Sequence, residues 1–234
     1  MKRTIVLLGA FALLALLAVA PAQAFDERTW LLLGGGGAQY GMADLNQELD
    51  AFNSTYGSGG LTFDHIEKGT ALGVAAGFEL RNRWNLGVGM DRMFASTEAF
   101  DGVDRVRYQF TANAWRVFGE YALQPVGRTG LRFGAGVGVV GESGKTTIAS
   151  PGYPTTESKV SGAAPLYEAY AGGDVWFGSR VALSAAGGWR YAKLASVHAG
   201  DYEYDSQIDG SPVSIDFSGA FVRLGLKFSS RPAE

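Results

Sequence analysis

TALGVAAGFELRNRWNLGVGMDRMF, residues 70–94, is the stretch from which the fold can be read. Its first half puts Thr70, Leu72, Val74, Ala76, Phe78 and Leu80 on even positions, and Ala71, Gly73, Ala75, Gly77, Glu79 and Arg81 on odd ones. Its second half sets Trp84, Leu86, Val88, Met90 and Phe94 against Asn85, Gly87, Gly89 and Asp91. Successive side chains of a strand point to opposite faces, so strict period two describes strands with a different environment on each face. Only Arg81, Asn82 and Arg83 join the halves, which makes them a hairpin. Arg92 breaks the apolar set near the expected strand end, where a long side chain can snorkel.

The same alternation spreads outward to six further segments. Residues 30–40 open the series faintly, because glycines 34–37 carry no side chains. Residues 105–121 set Val106, Tyr108, Phe110, Ala112 and Ala114 against Arg105, Arg107, Gln109, Thr111 and Asn113, then shift phase near Trp115-Arg116, which reads as a bulge. Segments 131–142, 167–177, 181–191 and 213–228 follow, the last with a phase change near Gly219. The total is eight strands. Short connections (81–83, 124–130, 178–180) alternate with long polar ones (41–66, 95–104, 143–164, 196–212), so the long ones share one end and both termini the other.

One face of these strands carries Leu, Val, Phe, Trp and Tyr; the other carries glycine, alanine and isolated charges. Eight strands leave little interior room, so the glycine-rich face reads as the inside. An apolar exterior requires lipid, and a closed barrel satisfies every backbone hydrogen bond there. Trp30, Phe78, Trp84, Phe118, Phe133, Phe177 and Phe228 gather toward the short-turn end and read as an interfacial girdle. The expectation is an all-β, eight-stranded, antiparallel up-and-down transmembrane barrel. Met42, Leu45, Leu49 and Phe52 recur at helical spacing, which adds a short amphipathic helix in the first long connection.

Composition agrees. Glycine supplies 34 of 234 residues, about twice the ordinary usage of roughly 7%. The formal charge of −3 argues against a nucleic-acid partner. Zero cysteines exclude disulfides and thiol chemistry, and two histidines leave few ways to build a His-based site. Residues 1–24 read as a secretory signal: Lys2 and Arg3, an apolar run, then Ala22-Gln23-Ala24 before the cut. The domain expected after it is 25–234.

On signal, strand count, turn alternation and the last strand, the chain resembles the small eight-stranded outer-membrane barrels of Gram-negative bacteria, the OmpA-transmembrane, OmpX and opacity-type group. The resemblance covers about residues 30–228. It implies an outer-membrane location, contact with outer-membrane lipid and with the barrel assembly machinery, and an assembly signal at Phe228, Leu226 and Leu224. It departs at the end, where Ser229 and five further residues follow Phe228.

Other motifs weigh less. Gly141 to Thr146 imitates a phosphate loop, but Val139 stands where its first glycine belongs and no helix pattern follows. Asp201, Glu203, Asp205 and Asp209 could offer oxygen to a cation, without the spacing of a calcium loop. Ser196 with His198, and Asp64 with His65, lack the third group that orients a catalytic base. Asn53-Ser54-Thr55 matches a glycosylation sequon. The expectation is no catalytic, cofactor or metal site, and hence no enzyme.

The inward face carries Glu79, Asp91, Arg107, Arg116, Glu120, Arg132, Glu168, Asp174, Arg190 and Arg223, expected to pair as a structural charge network because unpaired buried charge is costly. A narrow polar pore for ions or small solutes is the alternative. Three long connections hold four, three and four acids with no Lys or Arg, and the fourth has two lysines against Glu157, a formal −10 together. That crown suits cations or basic partners. The function expected is structural or interactive at the cell surface: envelope integrity, adhesion or ligand binding.

Overall fold

The computed structural model describes residues 29–80, 83–123, 128–149, 155–199, 202–203, 205–206, 208 and 210–230. The expected signal segment lies outside them. Eight long strands follow one another: β1 Thr29–Gln39, β2 Lys68–Glu79, β3 Trp84–Phe100, β4 Arg105–Ala122, β5 Thr129–Ala149, β6 Thr156–Trp176, β7 Val181–Tyr191 and β8 Gly219–Ser229. Each pairs antiparallel with the next, and β8 pairs with β1, which closes the barrel. Register can be followed around it: Gly130, Asp174, Ser184, Gly225, Gly34, Gly73, Asp91, Ala114 and Val140 pair in succession, so one circuit climbs ten residues along β5. A stagger of that size tilts the strands and sets the narrow bore of an eight-stranded barrel.

Two expectations change. Residues 95–100, 143–149 and 156–164 belong to strands, so β3 to β6 rise well past the apolar belt, leaving only 101–104 of the second long connection and 150–155 of the third between strands. Arg92 therefore lies in mid-strand, exposed, with its guanidinium 5.5 Å from the Phe94 ring. Nor does β4 contain a bulge, for its pairing with β3 runs unbroken from Trp84–Tyr121 to Phe100–Arg105. What changes near Trp115 is the surroundings. Below it Arg116 and Glu120 point inward and Val117 outward; above it Val106, Phe110, Ala112 and Ala114 point inward and Arg105, Arg107 and Gln109 outward. The polarity pattern inverts while the geometry does not.

The upper interior is a hydrophobic roof. Met93, Phe110, Val140, Leu166, Leu194, Ile215 and Phe217 pack with Leu45 and Leu49 of helix α1 (Ala43–Tyr56). A 14-residue helix is marginal in water, so this one depends on its contacts. Asn46 donates to the Ile66 carbonyl and accepts from the Ile66 amide; Asn53 does the same with Phe63. These two-point clamps fix the returning chain beneath the helix, and they engage the sequon asparagine. Glu48 and Asp44 accept hydrogen bonds from Ser206 and Ser214, tying the helix to the last long connection. At Gly219, where the sequence changed phase, φ is +151° and the backbone lies against the Gln39 carbonyl, leaving no room for a β-carbon.

Candidate functional site

In the lower barrel the inward positions of the strands converge on a network of buried charges. Its upper part joins β3, β4, β6, β7 and β8. Asp91 Oδ2 meets Arg116 Nη1 at 2.8 Å, Arg190 Nη2 at 3.0 Å and Arg223 Nη2 at 2.7 Å. Glu168 meets Arg116 Nε at 2.9 Å, Arg223 Nη2 at 2.7 Å and Arg190 Nε at 3.9 Å. Glu168 is fully buried, and only Arg223 retains appreciable exposure, at 17% of its side chain. Phe221 sits between two of the cations, with Arg223 4.3 Å and Arg190 5.2 Å from its ring.

The second part lies toward the short turns. Arg132 Nε meets Glu120 at 3.0 Å, its Nη1 meets Asp174, and its Nη2 donates to Ser184 at 2.8 Å. Lys227 Nζ lies 2.8 Å from Asp174 Oδ2, and Tyr170 donates to Glu120 at 3.0 Å. Inward glycines make space for these groups: a β-carbon at Gly134 would stand 2.5 Å from the Tyr170 ring. The four network carboxylates are each matched by a cation, an arrangement that favours their ionised form and holds the walls together.

Several expected positions differ. Arg107 is outside, not inside: it lies above the inversion on β4, with a half-exposed side chain 3.8 Å from Glu98. Glu79 holds the inward register but sits partly buried at the short-turn rim, opposite Asn85. Trp30 and Phe118 are not girdle residues; they face inward, each 6% exposed, with ring centroids 5.9 Å apart. Phe78, Trp84, Phe133, Phe177 and Phe228 do line the outside at the short-turn end, and Tyr167 and Tyr191 pair at the other end of the belt. Leu224, Leu226 and Phe228 project outward from β8, in register with Gly35, Leu33 and Leu31 of β1.

The sequence reading missed two residues. Lys227 shares the parity of Arg223 two turns of the pleat away, and that spacing could have placed it in the network. Glu142 shares the parity of Arg132 but stands above the inversion, three residues past Val139, the last apolar residue on the outside of β5. It is 4% exposed, beside Phe110 and Val160, and neither carboxylate oxygen has a partner among the described residues. Burial pushes its carboxyl up to about 8. The imitation phosphate loop is continuous strand within β5, and the described part of 201–209 includes a two-residue pairing of Tyr202–Glu203 with His198–Ala199. His65 is exposed and bonded to Asp50 at 2.8 Å, a contact that raises its pKa. Asp201, Tyr204 and Asp209 lie outside the described residues.

An apolar outer belt, an ion-paired bore, an apolar roof and a closed ladder of eight strands define the class: a small eight-stranded outer-membrane-type β-barrel. No protein-family profile matches the chain, and no curated protein matches it. Among solved structures the chain is similar to Ail, the attachment invasion locus protein of Yersinia pestis, solved in complex with the heparin analogue sucrose octasulfate (10% identity over 88% of this chain and 99% of that one, TM-score 0.47). It is similar also to Neisserial surface protein A (9% identity, 86% and 95% covered, TM-score 0.43) and to the outer membrane protein OprG from Pseudomonas aeruginosa (7% identity, 87% and 96% covered, TM-score 0.44).

Proposed function

We propose that this chain is an outer-membrane barrel of a Gram-negative bacterium that acts through its exposed crown, in envelope integrity, adhesion or ligand binding, without catalysis. The observation that carries the reading is a bore closed twice, by buried ion pairs within the belt and by the α1-capped apolar roof above it. A protein so filled has its working surface on the outside. Glu79, Asp91, Arg116, Glu120, Arg132, Glu168, Asp174, Arg190 and Arg223 serve as a structural plug, joined by Lys227. Phe228, Leu226 and Leu224 serve as the recognition strand for the assembly machinery, the belt meets outer-membrane lipid, and the acidic crown favours cations or basic partners over polyanions.

Planar-bilayer recording of the refolded protein tests this reading. It predicts little steady conductance; frequent long-lived openings would make the barrel a channel for ions or small solutes. On cells, mass spectrometry of the outer-membrane fraction should find Phe25 as the first residue. An intact Met1 on inner-membrane material would refute both the location and the cleavage after Ala24.

A further inference from the structure

The bore is not completely filled. A cavity of about 50 Å³ runs along the wall formed by β1 and β8. That is room for a few water-sized particles, since one needs at least about 10–15 Å³. Arg116, Arg132, Arg223 and Lys227 border it, against Asp91 and Glu120. The opening exists because Gly34 and Gly36 face inward from β1 and place no side chain between the cations and the wall.

The charges around this cavity do not balance. In the upper cluster Arg116, Arg190 and Arg223 stand against Asp91 and Glu168, one cation in excess there. Hydrogen bonding is incomplete in the same place. Arg190 Nε and Arg223 Nε are buried without a hydrogen-bond acceptor among the described residues. A residual positive charge and undirected N–H groups in a poorly hydrated bore favour a counter-anion. Guanidinium is suited to supply its donors.

We propose that the cavity binds one small inorganic anion of the halide class, held by Arg116 and Arg223. The space suits a small ion and is too small for gluconate, and the wall favours a single negative charge because the upper cluster holds three guanidiniums against two carboxylates. The anion completes the plug: it neutralises the upper cluster and occupies the gap left by the β1 glycines.

Two measurements test this. The first is a crystal of protein refolded in sodium bromide, with data collected at the bromine edge. An anomalous peak in the cavity at hydrogen-bond distance from Arg116 and Arg223 is expected; water alone in a fully occupied cavity overturns the proposal. The second is the melting temperature in sodium chloride or bromide against sodium gluconate at equal ionic strength. The halides should raise it by several degrees in the wild type. Arg223→Gln, which removes the excess charge, should abolish the difference. Ala186→Val, which keeps every charge but narrows the cavity from the β7 wall, should abolish it too, and serves alone if Arg223→Gln does not fold. Equal melting in all three salts, or a halide effect that survives in the variants that fold, overturns the proposal.

Discussion

Neutral-to-alkaline pH should loosen this barrel through a single carboxyl. Glu142 is buried in the apolar roof with both oxygens unpartnered among the described residues, and its carboxyl is pushed up to about 8 from an ordinary value of 4.5. Between those values the folded chain holds a proton that the unfolded chain has released, so stability falls as pH rises across the window. At about 1.4 kcal/mol per tenfold shift in proton affinity, the loss accumulates to roughly 4–5 kcal/mol by pH 8 and above. Glu142→Gln removes the titration while keeping shape. Urea unfolding of the refolded barrel, followed by tryptophan fluorescence at pH 5.5 and 8.5, reads the effect. The wild type should lose about 3 kcal/mol relative to Glu142→Gln on going to the higher pH, beyond the roughly 1.4 kcal/mol already lost at the lower. Identical pH dependence in both proteins would refute the reasoning, because the remaining titrating groups are common to them.

Three further outcomes follow from the same geometry. Arg132→Ala strands Glu120 and Asp174 beside only Lys227 and Tyr170, and should cost about 3–5 kcal/mol in urea unfolding; a loss under 1 kcal/mol would show that water solvates the lower cluster. Leu224→Arg, on the outer belt, should destabilise the bilayer-embedded barrel by about 2–4 kcal/mol if it lies near the midplane, whereas Gln109→Arg, above the inversion on β4, should stay within about 0.5 kcal/mol. His65 gains its raised pKa chiefly from the hydrogen bond to Asp50, so its favourable contribution is present at low pH and is lost as pH rises through its own titration; in NMR titrations Asp50→Asn should bring the midpoint down, and an unchanged midpoint would dismiss the pair.

Much of the barrel was legible because period two survives wherever the two faces differ, as in residues 70–94 and 181–191. The reading failed where both environments change at once. On β4 the inside turns from ionic to apolar at the level where the outside turns from apolar to polar, and a pattern that inverts at fixed geometry is indistinguishable in sequence from a slipped one. The same inversion misplaced Arg107 and hid Glu142, and it made the upper halves of β3, β5 and β6 look like polar loops. Trp30 and Phe118 were assigned to the girdle by residue type, although their parity with Leu32 and Arg116 places them inside. The amphipathic helix was readable from Met42, Leu45, Leu49 and Phe52. Its clamps through Asn46 and Asn53 were not, since a hydrogen bond to a returning backbone leaves no spacing signal.

The inversion on β4 is the most direct point at which to test the whole account. The natural chain has no cysteine, so single cysteines at Gln109, Thr111, Asn113, Val117, Gly119 and Tyr121 can each carry a nitroxide on the outward face without background labelling. Collision with oxygen and with a water-soluble nickel chelate should be measured in lipid vesicles. The account predicts oxygen-dominated, lipid-facing labels at 117, 119 and 121 and nickel-accessible labels at 109, 111 and 113, with the crossover at Trp115. Nickel access at 117–121, or lipid contact extending through 109–113, would contradict it.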